Sequence, residues 1–141
     1  MAKKDTKDSK FYIVIGALII AVIALFLFFP MAKMQLSGGE FVQTYEKTAN
    51  AVVLDVRTPT EFAAGHLDKA INVDYENPSF ETEIKKLDTS KTYFVYCRSG
   101  NRSGRSIEIM RRDGFDHIFE LKGGIISNVG SITLVPSGVN G

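Results

Sequence analysis

The amino-acid sequence predicts an α/β domain, a parallel sheet flanked by helices on both faces, preceded by one transmembrane helix. Three observations support this prediction. Residues 11–29 carry no charged side chain and are mostly large and apolar. Beyond residue 37, short runs rich in Val, Ile and Phe alternate with segments of helical character, as in a sheet covered by helices on both sides. The length of 141 residues suits one domain with an anchor, since domains hold roughly 100–200 residues.

The composition is that of a folded protein without a strong charge. Hydrophobic residues make up 45% of the chain and charged residues 23%, which excludes a wholly disordered chain. The net charge is +1, so binding to nucleic acid has little electrostatic basis, and we expect no nucleic-acid partner. The only cysteine is Cys97, which excludes an intrachain disulfide and a metal site built from several cysteines.

The first predicted element is a transmembrane helix over residues 11–30, after a basic N-terminus at residues 1–10. As a helix, residues 11–29 would be about 28 Å long, close to the ~30 Å thickness of the hydrocarbon core. Pro30 would end this helix, because proline cannot continue its hydrogen bonds. A cleaved signal peptide is disfavoured because its apolar region is usually only ~7–15 residues long. A buried core helix is disfavoured because this segment is apolar on every face. We therefore expect residues 11–29 to contact the lipid bilayer.

The charges around this segment predict its orientation. Residues 1–10 contain four lysines, whereas only Lys33 follows the apolar segment closely. Basic flanking residues prefer the cytoplasmic side of a membrane. We therefore expect a single-pass membrane protein, with a cytoplasmic N-terminus and an extracytoplasmic domain.

Beyond the membrane segment, we expect a linker at residues 31–37, one α/β domain at residues 38–135 and a flexible tail at residues 136–141. Strands are predicted from their apolar runs at 51–56, 70–73, 92–97 and 117–121. Helices are predicted from apolar spacing and capping residues at 37–47, 60–65, 79–87 and 102–112.

The predicted chemistry lies where the third of these strands ends and a helix begins. That turn consists of Cys97, Arg98, Ser99, Gly100, Asn101 and Arg102. Ligands of open α/β sheets bind at such strand-to-helix turns. Gly100 permits a tight turn whose amides can surround an anion, and the helix N-terminus and the two arginines add positive charge. Cys97 should ionise readily there and attack an anionic substrate, although a buried, inert cysteine is the alternative.

Four segments in a fixed order resemble the single-domain rhodanese-like sulfurtransferases. They are LDVRTPTEFAAGHL at 54–67, AINV at 70–73, CRSGNRS at 97–103 and LKGGI at 121–125. The resemblance extends from about residue 38 to about residue 135. It implies that Cys97 takes a sulfane sulfur from a small anionic donor such as thiosulfate, holds it as a persulfide, and passes it to a thiol or cyanide. Residues 98–102 would bind the donor. No cofactor or metal is implied, whereas an oxidising, extracytoplasmic setting would require a redox partner protein.

Two other functions remain open at this stage. The domain could be a non-catalytic sulfur carrier or a partner-binding module at the membrane. A cysteine-dependent phosphatase or arsenate reductase is disfavoured, because related phosphatases place five residues between the cysteine and the final arginine of the loop. Here only four residues separate Cys97 from Arg102, and the smaller ring suits a sulfur atom better than a phosphate group.

The polar residues of the upstream motif are interpreted as structural. We expect Asp55, Arg57 and Glu61 to pair charges and tie loops near the sheet edge, and His66 to be structural too, although the sequence leaves open a His66–Cys97 dyad. The resemblance is weaker at Asn128, where a tryptophan is common in the family. We therefore expect a short or loosely packed final helix.

Overall fold

The computed structural model describes residues 12–21 and 34–136. Residues 12–21 form helix α1, which belongs to a separate compact unit from the α/β domain. Within the two described ranges, no helix is both long and apolar enough to cross a membrane. Half of the predicted span, the basic N-terminus at 1–10 and the tail beyond residue 136 lie outside the described residues. The transmembrane helix therefore stays a prediction.

The domain is a parallel sheet with helices between its strands. Its elements in chain order are β1 (Met34–Leu36), α2 (Gly38–Lys47), β2 (Ala51–Asp55), α3 (Pro59–Ala64), β3 (Ile71–Asn72), α4 (Phe80–Ile84), β4 (Thr92–Tyr96), α5 (Asn101–Arg112), β5 (Ile118–Leu121) and a 3-10 helix at Ile125–Ser127. The strands lie in the order β1-β5-β4-β2-β3, and every neighbouring pair is parallel. The predicted α/β class is thereby confirmed.

Alternate residues of β4 enter two separate hydrophobic cores, because successive strand side chains point to opposite faces. Tyr93 and Val95 pack on the face covered by α4 and α5, together with Cys97. Phe94 and Tyr96 pack on the other face, against Phe41 of α2. The central strand is thus buried on both sides, and its carboxyl end lies between two layers of helix.

Capping residues set the start of helix α3. The backbone amide of Glu61 donates to the Thr58 hydroxyl at 3.3 Å, and the Thr58 amide donates to the Glu61 carboxylate at 3.2 Å. This reciprocal pair satisfies amides that lack acceptors in the first helical turn, and Pro59 at the first helical position needs no acceptor. The cap also fixes the position of the Glu61 carboxylate, which bears on the site described below.

The structure corrects two of the predicted element boundaries. Residues 34–36, predicted as part of a linker, form the edge strand β1, which pairs with β5. Three residues are too few to show strand periodicity, which explains why the sequence did not reveal β1. Helix α4 is shorter than the predicted 79–87, because the chain turns after Ile84 through backbone bonds at Lys86 and Leu87.

An ion pair behind the sheet edge fixes the loop between β2 and α3. The Arg57 guanidinium donates to both carboxylate oxygens of Asp55, the shortest contact being 2.6 Å, and to the Gly65 carbonyl at 2.7 Å. Asp55 is fully buried and Arg57 nearly so. The predicted structural role of these two residues agrees with this arrangement.

Replacing Arg57 by alanine should destabilise the domain strongly, because it would leave the Asp55 carboxylate buried without its cation. Breaking such a pair costs about 3–5 kcal/mol. The measurement is the free energy of unfolding from urea titration. The control is Arg112→Ala, which removes the exposed guanidinium that pairs with Glu81 and Asp113 and should lower the free energy of unfolding much less. Equal effects of the two substitutions would refute the structural role of Arg57.

Candidate active site

Cys97 lies directly after the last residue of the central strand. Its side chain is 1% exposed and belongs to the core beneath α5. The carboxyl ends of parallel strands are where ligands bind in α/β folds, because the following loops converge there. The sequence prediction of the site's location therefore agrees with the position of Cys97 in the sheet.

The loop after Cys97 directs an amide at the sulfur atom. Gly100 adopts φ 93°, which other residues rarely adopt, and its backbone amide donates to Cys97 Sγ at 3.1 Å. Helix α5 follows at once, and its first i→i−4 bond runs from the Gly104 amide to the Gly100 carbonyl. The amides of residues 101–103 therefore precede the helical ladder at its positive end, where they favour an anion.

The glycine pair after β5 holds the loop from behind. The amides of Ile125 and Ile126 donate to the carbonyls of Cys97 and Arg98, both at 3.0 Å. A side chain at Gly124 would place its Cβ 2.5 Å from the Arg98 carbonyl carbon and oxygen, so only glycine fits. The LKGGI segment, which sequence reasoning treated only as a family motif, is thus part of the support of the site.

Asn128 ties this glycine turn to helix α2. Its side-chain amide donates to the carbonyls of Lys122 at 2.8 Å and Gly124 at 2.7 Å, and its oxygen accepts from the Gly38 amide at 2.7 Å. The residues just before it form only a 3-10 helix, as the expectation of a short final helix required. Three hydrogen bonds thus hold Asn128 between the glycine turn and helix α2.

The two arginines of the loop differ in their surroundings. Arg102 donates two hydrogen bonds to Glu61, at 2.7 and 2.9 Å, and one to Glu76 at 3.2 Å. Arg98 is exposed. The paired guanidinium lowers the pKa of Glu61 from its ordinary 4.5 to about 2, and the same hydrogen bonds raise the pKa of Arg102. Arg102 was predicted as a contact for the substrate anion. In this structure its guanidinium forms ion pairs with two carboxylates.

The structure adds two residues to the site that the sequence did not identify. Ser103 contacts the Cys97 sulfur, and Glu120 contacts Ser103. The Ser103 hydroxyl lies 3.4 Å from Cys97 Sγ and 2.8 Å from a carboxylate oxygen of Glu120. The other Glu120 oxygen accepts from the Gln35 side-chain amide at 2.8 Å. Ser103 ends the CRSGNRS motif, which was a signal available in the sequence, whereas Glu120 lies in an apolar strand far along the chain.

His66 is occupied elsewhere. Its Nδ1 lies 3.0 Å from the Phe62 carbonyl oxygen, and its ring stacks on the Phe62 ring at 3.8 Å. Its backbone pairs with Val135. These contacts fit the structural interpretation and give no hydrogen bond between His66 and Cys97. Within residues 12–21 and 34–136, no group of three or more His, Cys, Asp or Glu side chains is placed to hold a metal ion.

Known proteins are similar in sequence to this domain. The family model described as "Rhodanese-like domain" matches residues 39–127. A Bacillus subtilis protein named YqhL is 33% identical over 112 residues, which are 79% of this chain and 85% of that protein. The tRNA uridine(34) hydroxylase of Onion yellows phytoplasma is 29% identical over 65% of this chain and 31% of its own length. The adenylyltransferase and sulfurtransferase MOCS3 of Arabidopsis thaliana is 28% identical over 67% of this chain and 23% of its own. This chain thus spans less than a third of the length of the phytoplasma and Arabidopsis relatives.

Solved structures share the architecture as well. A rhodanese-related protein from Thermoplasma volcanium superposes with a TM-score of 0.63 at 27% identity, covering 72% of this chain and 97% of that one. A rhodanese-like domain protein from Staphylococcus aureus gives a TM-score of 0.63 at 19% identity, covering 74% and 99%. The second likeness concerns the fold alone.

The low pKa of Glu61 makes part of the stability pH-dependent. A carboxylate whose pKa is lowered on folding stabilises the domain above its ordinary pKa of 4.5, and this contribution disappears as the pH falls to about 2. Glu61→Gln should therefore reduce the free energy of unfolding most above about pH 4.5, and the difference from wild type should shrink in acid. Urea unfolding at a series of pH values, where both proteins fold, measures this. The control is Glu83→Gln, which removes the exposed ion-pair partner of Lys86 and should lower the free energy of unfolding by only ~0–1 kcal/mol. If the difference in the free energy of unfolding between wild type and Glu61→Gln stays constant as the pH falls, the role given to Glu61 is contradicted.

Proposed function

Because this chain belongs to the rhodanese-like domain family, we propose that it is a sulfurtransferase that carries a sulfane sulfur as a persulfide on Cys97. The observation that carries this proposal is the Cys97 sulfur, which accepts a hydrogen bond from the Gly100 amide at the N-terminus of α5. Backbone amides and a helix N-terminus stabilise negative sulfur, both as a thiolate and as a persulfide. The activities of the longer relatives are not assigned to this chain, because it spans less than a third of their length.

The proposed reaction has two displacement steps. The Cys97 thiolate attacks the outer sulfur of a donor such as thiosulfate, the sulfur–sulfur bond of the donor breaks, and sulfite leaves with the electron pair. An acceptor such as cyanide or a thiolate then attacks the terminal sulfur of the persulfide, which returns Cys97 to a thiolate. Neither step requires a metal or an organic cofactor.

We assign donor binding to the loop, residues 98–102. Exposed Arg98 supplies a cation beside Cys97 in the chain, and the amides at the start of α5 supply donors of hydrogen bonds. Arg102 contributes positive charge from a fixed position, because Glu61 and Glu76 hold its guanidinium. A small anion suits this set better than a bulky phosphate group, since the loop has only four residues between Cys97 and Arg102.

We also propose that the chain is anchored in a membrane, with the N-terminus cytoplasmic and the domain outside the cytoplasm. The uncharged segment 11–29 and the lysines of residues 1–10 support this. Helix α1 carries apolar side chains that are exposed, among them Ile13, Leu18 and Ile20. In that setting a redox partner protein would keep Cys97 reduced.

Incubating the full-length protein with thiosulfate should increase its intact mass by one sulfur atom. The extra atom should be absent from Cys97→Ser, which keeps the size of the side chain and removes the nucleophile. Adding cyanide should return the mass to its starting value, and repeated turnover should release thiocyanate. A sulfur carrier would gain the atom without turnover. No gain in the wild type, or an equal gain in Cys97→Ser, would overturn the proposed function.

Protease added to intact cells should digest the α/β domain, if the domain lies outside the cytoplasm as the lysine distribution predicts. Immunoblotting with an epitope at each end measures which end survives. The N-terminal epitope should be protected and the C-terminal epitope lost. Replacing the lysines at 3, 4, 7 and 10 by glutamine is the control, and it should weaken this preference. Protection of the C-terminal epitope in the wild type would contradict the proposed orientation.

A further inference from the structure

The two carboxylates that bind Arg102 are held in different ways. Glu61 accepts two hydrogen bonds from the guanidinium, at 2.7 and 2.9 Å, and the cap at Thr58 also fixes its carboxylate. Glu76 accepts one hydrogen bond, at 3.2 Å, and its side chain is 60% exposed. Exposed single ion pairs contribute little free energy, because water can replace either partner. The Glu76 carboxylate can therefore leave Arg102 easily, whereas Glu61 is fixed.

Two backbone amides hold the loop that carries Glu76. The Tyr75 amide donates to the Val56 carbonyl at 3.3 Å, and the Glu76 amide donates to the Asp74 carboxylate at 2.9 Å. Val56 directly follows β2, so the loop is attached at the carboxyl edge of the sheet. Separation of Glu76 from Arg102 therefore requires only rotation of the Glu76 side chain, while the loop stays in place.

The charges around Arg102 conflict with its proposed role in binding the donor anion. One guanidinium pairs with two carboxylates, so Arg102, Glu61 and Glu76 together carry one net negative charge. A donor such as thiosulfate carries two negative charges and would be repelled by this group. The pKa of Arg102 is raised, first by its hydrogen bond with Glu61 and also by the charge of Cys97. The guanidinium is thus close enough to act on an anion at the sulfur, provided that one carboxylate leaves.

We propose that Glu76 competes with the anionic sulfur donor for Arg102 and thereby sets the affinity of the site for the donor. Arg102 Nη1 donates to both Glu61 and Glu76. When the donor binds, it takes the hydrogen bond of Glu76, the Glu76 carboxylate turns into solvent, and Glu61 keeps the guanidinium in position. Glu76 is thus a positioning residue that acts through Arg102. This inference rests on the proposed function in assigning donor binding to Arg102.

Sulfate can test this competition, because it has the two charges of thiosulfate but no sulfur that can be transferred. The measurement is the sulfate concentration that halves the rate of alkylation of Cys97 by iodoacetamide, followed by the intact mass of the full-length protein at constant ionic strength. Cys97 is the only cysteine of the chain, and Cys97→Ser gives the background. Each protein is compared with its own rate without sulfate, so a change in the reactivity of the sulfur does not alter the result.

Glu76→Gln should lower the half-protecting sulfate concentration about two- to fivefold, because it removes an exposed ion pair that competes with the anion. The matched control is Glu81→Gln. Glu81 is also an exposed partner of an α5 arginine, at 2.7 Å from Arg112, but that arginine ends the helix, far along the chain from Cys97. The control should leave the concentration unchanged. The proposal is wrong if Glu76→Gln has no effect, if Glu81→Gln has an equal effect, or if sulfate protects none of the proteins.

Glu76→Asp separates the contact with Arg102 from the charge of the carboxylate. Aspartate keeps the charge but is one methylene shorter, and the contact of 3.2 Å is already at the long end of the hydrogen-bond range. Glu76→Asp should therefore lower the half-protecting concentration nearly as much as Glu76→Gln. A wild-type value for Glu76→Asp would assign the effect to charge alone and would refute the competition for Arg102.

The outcome for Glu76 can be distinguished from the outcome for the proposed function. Protection by sulfate requires no sulfur transfer, so the competition can be refuted while the mass gain with thiosulfate succeeds, and the reverse also holds. Thermal unfolding of each variant shows that the compared proteins are equally folded.

Discussion

Two backbone hydrogen bonds, from Ile125 and Ile126 to the carbonyls of Cys97 and Arg98, hold the reactive loop against the neighbouring strand connection. The Arg98 backbone lies so close to Gly124 that position 124 has no room for a side chain. The loop after β4 is therefore packed along its backbone rather than held by flexible side chains. This constraint lets a turn of few residues keep its Gly100 amide on the sulfur, because hydrogen-bonded backbone cannot easily move away from its position.

Charged side chains at the carboxyl edge of the sheet form two separate groups. Asp55 and Arg57 form a buried pair that fixes the loop entering α3, and Arg57 also lies over the Tyr96 ring at 5.7 Å. Glu61, placed by the cap of α3, holds Arg102 at the start of α5. The first group fixes the β2–α3 connection and reaches the Gly65 carbonyl, and the second joins α3 to the first turn of α5. The contacts of Asp55, Arg57 and Glu61 in the upstream motif thus agree with the structural interpretation of these residues.

The sequence allowed prediction of those features that depend on local pattern. Apolar runs located β2, β4 and β5, and the strand-to-helix turn located Cys97 at the sheet edge. Strand β1 escaped because three residues carry no periodicity and it becomes a strand only by pairing with β5. The partners of Arg102 and the contacts of Glu120 escaped for a related reason: they join residues 17 to 85 positions apart in the chain, and no local rule links such residues.

Ser103 and Glu120 show what the tertiary fold adds to the loop. In the sequence, Glu120 is an isolated acidic residue in a strand, and such residues usually point to solvent. The parallel pairing of β4 with β5 places it beside the end of the central strand, and α5 covers it with Ser103. A polar chain then runs from Gln35 through Glu120 and Ser103 to the sulfur atom, across β1, β5 and α5. Because a buried carboxylate without hydrogen-bond donors is costly, the Gln35 amide and the Ser103 hydroxyl help Glu120 to occupy a position in the core.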